Sequence, residues 1–271
     1  MVFLLGAVAC TSLVNIVLAF ASRRGWDGRA VLGWSYFASA ALAGLMAALQ
    51  APASSMSFAV WFGLLSGGLY LLCLVTVEKS VREKGAGVTT LYQRLGILVP
   101  ILCSALLWGE VPSAVQLAGL AASVAVMAAL WGGGGRAAAK GPLAVFLLGG
   151  AVEFTGKVFQ KCALAEYRPV FLFVLFAACA VLALPRLVRA PKLPPAGVAL
   201  GAAMGACSAL SSLLMMNALE TVPTGVAYPV LSVGSVAAVT AVDVLVFHRA
   251  LTRREKLGLA LSAVCLVLVN L

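Results

Sequence analysis

The chain is a succession of long apolar blocks separated by very short polar connections, and this pattern restricts the fold more than any single motif. The blocks run over roughly 1–21, 30–49, 57–77, 86–108, 113–131, 142–165, 169–188, 196–219, 225–247 and 256–271. Most are long enough for a helix to cross a bilayer, which takes about 20 apolar residues at about 1.5 Å each. The connections leave no room for a soluble domain. Only 10% of the 271 residues are charged and 63% are hydrophobic, too little polar surface for a soluble domain of this length. The pattern predicts an all-α membrane protein with ten transmembrane helices.

The first block ends in Ala19 and Ala21, a small-residue pair of the kind a signal peptidase cuts. No basic residue precedes it, so the block is expected to stay as a helix and not to be removed. The seven cysteines (Cys10, Cys73, Cys103, Cys162, Cys179, Cys207 and Cys265) all fall within apolar blocks. An odd number in such places predicts buried thiols packing as small apolar groups, not a disulfide framework.

A net charge of +10 would suit a nucleic-acid partner, but its distribution does not. Fifteen of the nineteen Lys and Arg follow odd-numbered blocks: Arg23, Arg24, Arg29, Lys79, Arg82, Lys84, Arg136, Lys140, Arg186, Arg189, Lys192, Arg249, Arg253, Arg254 and Lys256. The connections after even-numbered blocks hold Arg168 alone, and Arg94, Lys157 and Lys161 lie inside blocks. Basic connections stay in the cytoplasm. The bias therefore predicts a multi-pass protein of the inner (plasma) membrane with both termini outside, and no nucleic-acid partner.

The chain also repeats itself. "GLLSGGLYLL" carries Gly63 and Gly67 where "GAAMGACSAL" carries Gly201 and Gly205, an offset of 138 residues. At the same offset of 138, Gly87, Val88 and Gly96 match Gly225, Val226 and Gly234. The fifth and tenth blocks align after a slip of one residue. Residues 1–131 and 142–271 are thus read as two five-helix repeats joined by a glycine-rich linker, 132–141. Five is odd, so the copies lie in opposite orientations, an architecture used by many secondary transporters. The linker has no Gly-Lys-Ser/Thr ending and no flanking strand, so it is not a phosphate-binding loop.

Two stretches point to a family. "YQRLGILVPILCSALLWGEVPSAVQLAGL", with its Gly-Glu turn at Gly109 and Glu110, resembles the end of an EamA-type repeat of the drug/metabolite transporter superfamily. "VPTGVAYPVLS" is similar to the Pro-x-Gly-x-Ala-Tyr signature of the small multidrug resistance proteins in that superfamily, at Pro223, Gly225, Ala227 and Tyr228. "GGAVEFTGKVFQK" places Glu153, Gly156 and Lys161 at the spacing of the first helix of those proteins. The resemblance implies ten helices around a central cavity, with the fifth and tenth outside, and a membrane-embedded Glu153 that binds protons and cations in turn. Lys157 has no counterpart in that pattern, and Leu231 replaces its tryptophan.

Glu153, Lys157 and Lys161 recur at four-residue spacing on one face of the sixth block. Glu153 lies near mid-membrane, where a charge costs about 2.5–3.5 kcal/mol even on the lenient insertion scale. A Glu153–Lys157 pair could simply lock this helix to a neighbour, since acid before base at i,i+4 is the favourable order. Apolar residues would pack as well without the desolvation, which favours a role in binding. Burial would raise the Glu153 pKa and Lys157 would lower it. In the first case Glu153 exchanges a proton for a cationic substrate. In the second the pair is a dipolar clamp for a zwitterion, preferred here because Arg94 adds another cation in the fourth block. Lys161 and Arg94 could instead snorkel to the interfaces.

Tyr228 and Ser232 share a face of the ninth block, and Gln93 and Thr90 occupy the matching part of the fourth, where all four could hydrogen-bond a polar ligand. Pro100 and Pro229 interrupt backbone hydrogen bonding at comparable depths and, with Gly225, are candidate hinges. The two Gly-xxx-Gly pairs allow close helix approach. Asp243 and His248 sit beside a basic cluster and are read as solvated. One histidine and no cluster of acids around it make a metal site unexpected, and no nucleophile–base pair marks an enzyme.

The expectation is a secondary transporter, most simply an exporter, moving a small polar or zwitterionic metabolite by alternating access. It needs no cofactor, and proton coupling is the open point. A monomer is the simplest assembly, with a dimer as the alternative. The competing functions are a proton-coupled antiporter of cationic or amphipathic compounds through Glu153, and a lipid-carrier flippase or scaffold.

Overall fold

The computed structural model describes residues 1–50, 56–84, 89, 92, 93, 95–110, 112–114, 117, 118, 121 and 140–245. All regular structure among them is helical: α1 (Val2–Arg23), α2 (Gly28–Gln50), α3 (Ser57–Lys84), α4 (Leu98–Trp108), α5 (Lys140–Cys162), a 3₁₀ turn (Ala165–Tyr167), α6 (Arg168–Arg189), α7 (Pro195–Ala218) and α8 (Thr224–Leu245). Six of them, α1, α2, α3, α5, α6 and α7, are long and apolar enough to cross a membrane. The chain is an all-α membrane protein. The fifth block beyond a few residues, the tenth block, most of the linker, Arg94, Thr90 and His248 lie outside the described residues.

Local chemistry sets the helix ends. Gly25 turns the chain between α1 and α2 with φ 69°, a conformation that favours glycine. Asp27 then caps α2, its side chain accepting the Arg29 N–H at 2.8 Å. Pro169 enters the first turn of α6, where its missing N–H would have had no helical partner. Gly109 closes α4 with φ 66° and donates its N–H to the Ala105 carbonyl, while the Glu110 N–H donates to the Ser104 carbonyl.

Two expectations change. The cations Lys79 and Lys84, assigned to a connection, lie on the last turns of α3, which runs to Lys84. Lys, Glu and Arg are good helix formers, so a helix can continue once it leaves the hydrocarbon. Pro100 does not interrupt a long helix either. The backbone turns at Gly96 and Ile97, α4 starts at Leu98, and Pro100 falls in its first turn, where no helical N–H bond is lost. Pro229, by contrast, lies inside α8.

The chain divides into two compact units. The first draws on Met1, Leu72–Lys157 and Ala218–Leu271, the second on Val2–Leu71 and Val158–Asn217. Each takes residues from both halves of the sequence.

The second unit is built by close helix approach. α2 and α6 run antiparallel, with Gly33 against Leu187 and Gly44 against Phe173. On α3, Gly63 meets Val174 and the Phe171 carbonyl, and a Cβ at Gly67 would lie 2.6 Å from that of Ala178. On α7, Gly201 meets Trp34 and the Val31 carbonyl, and Gly205 lies against the Ser35 backbone. Glycine lets these backbones touch, which is how apolar helices associate where lipid offers no hydrophobic drive. Short polar bonds close the contacts: Ser39 Oγ donates to the Gly205 carbonyl at 2.8 Å, and the Thr11 and Ser211 hydroxyls bond at 2.7 Å. Phe58, Phe62, Phe159 and Phe171 form a stack, with Phe159 and Phe171 centroids 4.2 Å apart. The expected outer-loop cation, Arg168, is instead buried here and donates to Asn217 Oδ1.

Candidate functional site

In the first unit a buried ion pair and its hydrogen bonds join α5, α8 and the turn after α4. α5 is apolar for most of its length, and Lys157 sits on it five residues before the end. Its side chain is 1% exposed. Such an ammonium needs a counter-ion within reach. Lys157 Nζ stands 2.9 Å from Glu110 Oε1. The second oxygen of that carboxylate, Oε2, accepts the Thr224 hydroxyl at 2.6 Å. Thr224 is the first residue of α8 and is fully buried. Glu110 is set by Gly109: the left-handed turn ends α4 and carries the next residue off the helix axis.

One turn further along both helices, the Tyr228 hydroxyl donates to the Glu153 main-chain carbonyl at 2.8 Å. The two contacts, Lys157 to Thr224 through Glu110 and Glu153 to Tyr228, fix α5 and α8 as antiparallel. Tyr228 is 2% exposed, and the Pro229 and Gly225 beside it are buried. Tyr228 thus meets the backbone at Glu153, while the Glu153 side chain is exposed.

A further turn along α8 is Ser232, 4% exposed, whose Oγ finds no hydrogen-bond partner among the described residues. The antiparallel register places it opposite Gly149 on α5. Among the described residues, a Cβ at Gly149 would reach only Gln93, at 3.8 Å, an ordinary contact. At neighbouring Gly150 it would overlap Val99 and the Gly96 carbonyl. The α4–α5 seam is therefore tight on one side of α5 and relaxed on the other, where Gln93 lies with its side chain exposed. Ser104 on α4, fully buried, also has an Oγ without a partner among the described residues. Buried hydroxyls without partners are unfavourable by roughly 1–3 kcal/mol and mark places where a ligand or water would be held.

Of the residues singled out in the sequence, Lys157, Glu153, Tyr228, Ser232, Gln93, Pro229 and Gly225 fall in this unit. Lys161 is exposed on the last turn of α5 and belongs to the second unit. Arg94 and Thr90 lie outside the described residues. Glu110 and Thr224 were not anticipated as site residues. A usable signal existed for Glu110: it is an acid that directly follows the fourth apolar block. Cys162 departs from the expected burial and is exposed at the end of α5, whereas Cys10, Cys73 and Cys179 are buried.

No family model matches the chain, and no curated protein matches it. Among solved structures, one known only as "Crystal structure of protein" aligns over 100% of this chain and 99% of its own, with a TM-score of 0.71 and 17% identity. At that identity the likeness is one of fold alone. Fold and buried charge together define a helical membrane protein with a buried ion pair between α5 and the turn after α4.

Proposed function

We propose that the protein is a secondary transporter that moves a small polar or zwitterionic metabolite by alternating access, in the manner of the drug/metabolite transporter superfamily it resembles. The observation that carries this is Lys157. A fully buried ammonium, paired with an acid from a distant segment, shares one unit with the Ser104 and Ser232 hydroxyls, which have no partner among the described residues. A helix packed for stability alone would do as well with apolar residues. Polar groups kept inside membrane helices are better explained by a cargo that needs them.

Ten spans in two inverted repeats, with basic connections in the cytoplasm of a plasma membrane and both termini outside, form part of the same proposal. A reciprocity of contacts supports the repeats. Ser39 Oγ donates to the Gly205 carbonyl, and Cys179 Sγ to the Gly67 carbonyl at 3.8 Å. The two glycines are 138 residues apart and the two donors 140. The Gly63 and Gly201 contacts repeat in the same way: Val174 with Phe171, then Trp34 with Val31. Inverted copies packed about a pseudo-two-fold axis make such paired contacts.

The test is flux in proteoliposomes. Labelled neutral amino acids should exchange across the membrane with wild-type protein, and Lys157→Met should abolish the exchange. Retained flux in Glu153→Gln fits the zwitterion carrier. Release of about one proton per cation bound, lost in Glu153→Gln, would assign proton-coupled cation exchange instead. Absence of flux with every solute and lipid carrier tried would remove the transport function. Reaction of a cysteine placed in the Arg23–Arg29 connection with an impermeant maleimide added outside intact cells would reverse the proposed orientation.

A further inference from the structure

We infer that the end of the second unit where α1 stops and α7 begins is a docking site for the headgroup of an anionic phospholipid. Two connections far apart in sequence, α1–α2 and α6–α7, meet there. Gly33, near the start of α2, lies against Leu187 at the end of α6, and Gly201, near the start of α7, lies against the Val31 carbonyl. Trp26 of the first connection and Leu193 of the second pack on the same buried residues, Ala21, Val31 and Met204.

This meeting gathers charge. Arg23, Arg24, Arg29, Arg186, Arg189 and Lys192 all fall in the two connections or the helix turns beside them, and Asp27 is the one acid there. An oxygen of Asp27 already accepts the Arg29 N–H at 2.8 Å. The Arg24 guanidinium lies 5.0 Å from the Phe20 ring centre, and Phe20 meets Trp26 edge-on, which holds that cation beside the connection. Arg24, Arg29, Arg189 and Lys192 are exposed. The opposite end of the same unit differs: among its described residues the exposed charges are Lys161 and Glu166, of opposite sign, and Arg168 is buried. Orientation in a membrane accounts for cations on one side of the bilayer, but not for two basic connections packed on each other. Like charges so assembled repel, and an anion placed among them relieves the repulsion.

The surface beside the cations selects the anion. Val181, Leu184 and Val188 form an exposed apolar stripe on α6 that ends one residue before Arg189. Trp34 is exposed on α2 five residues after Arg29. A ligand covering both kinds of surface carries a negative group joined to long apolar chains. A nucleic acid or an acidic peptide offers the charge without the chains, whereas an anionic phospholipid offers both. Held there, it bridges α1, α2, α6 and α7 at one end of the unit and stabilises the folded protein by binding it. Such binding is independent of the transport function proposed above.

Thermal unfolding of the purified full-length protein in a neutral detergent tests this, with dioleoyl phosphatidylglycerol as probe and dioleoyl phosphatidylcholine as the zwitterionic control. Phosphatidylglycerol should raise Tm by at least about 3 °C more than phosphatidylcholine does. Arg29→Gln/Arg189→Gln/Lys192→Gln should lose two thirds of that difference or more, and Lys161→Gln, at the other end, should keep it. Salt at about 0.5 M should shrink the difference in the wild type. Equal stabilisation by the two lipids, or a triple variant that keeps the difference, would overturn the docking site. An equal shift from glycerol 3-phosphate or from heparin would also overturn it, by assigning the cluster to a soluble anion. If the triple variant cannot be purified, the three single variants replace it: each should lose part of the difference, and no loss in any of them overturns the site.

Discussion

In the second unit, the polar groups at the helix contacts are closed on backbone or on each other, as Ser39 is on Gly205 and Thr11 on Ser211. Gln160 Oε1, near the end of α5, has no hydrogen-bond partner among the described residues, and the buried Arg168 at the start of α6 donates to Asn217 Oδ1. In the first unit hydroxyls close in the same way, as Ser80 does on Thr89, and an ion pair is added. A cation is buried within α5, its acid comes from a turn 47 residues earlier in sequence, and the unpartnered Ser232 hydroxyl sits nine residues into α8. Close packing by glycine and aromatic residues yields a rigid contact with little left to bind. Charge and unpaired hydroxyls within helices sacrifice stability and leave groups for a ligand.

The largest expected effect bears on that contrast directly. Lys157→Met strands the Glu110 carboxylate and should lower stability by about 3–5 kcal/mol, whereas Lys157→Met/Glu110→Leu should recover most of it. Urea or thermal unfolding in detergent reads both. If the double variant recovers stability and also keeps flux, the pair is structural and the two units do not differ in kind. Next comes Gly205→Val, which forces a branched side chain into the Ser35 backbone and should remove about 3 kcal/mol or more. A loss of monodisperse protein on size exclusion is the readout, and tolerance of valine would contradict the tight α2–α7 contact.

The smallest effects discriminate best. Ser39→Ala should lower stability by about 0.5–1 kcal/mol through one lost interhelical hydrogen bond, with flux unchanged. Ser232→Ala removes a hydroxyl that has no partner among the described residues, so stability should stay within about 0.5 kcal/mol or rise while flux falls several-fold. Opposite outcomes at these two serines, one structural and one functional, would turn the comparison into a measured difference. The same outcome at both would dissolve it.

Much of the fold was legible in advance. Blocks predicted at 30–49, 169–188 and 196–219 are helices Gly28–Gln50, Arg168–Arg189 and Pro195–Ala218. Bilayer thickness fixes a helix length, and hydropathy records it directly. Helix ends were less legible: α3 continues to Lys84 because its terminal residues favour helix in water. The site was half visible. Lys157 stood out because a charge in an apolar run is conspicuous, and Tyr228 and Ser232 because they share a helical face. The i,i+4 spacing drew attention to Glu153 as the partner of Lys157, while the structure supplies Glu110 as a counter-ion from a different segment.

The sequence by itself determined that this chain is helical and membrane-embedded, since a lipid environment allows an apolar chain few ways to satisfy its backbone. It also determined that a cation would be buried in the sixth block, because a residue's identity and its position along a helix are one-dimensional facts. Only the tertiary structure decided which acid neutralises that cation, which hydroxyl supports it and which are left unpaired. Those depend on how helices distant in sequence come side by side, and Coulomb attraction and hydrogen bonding act over a few ångströms of space regardless of separation along the chain.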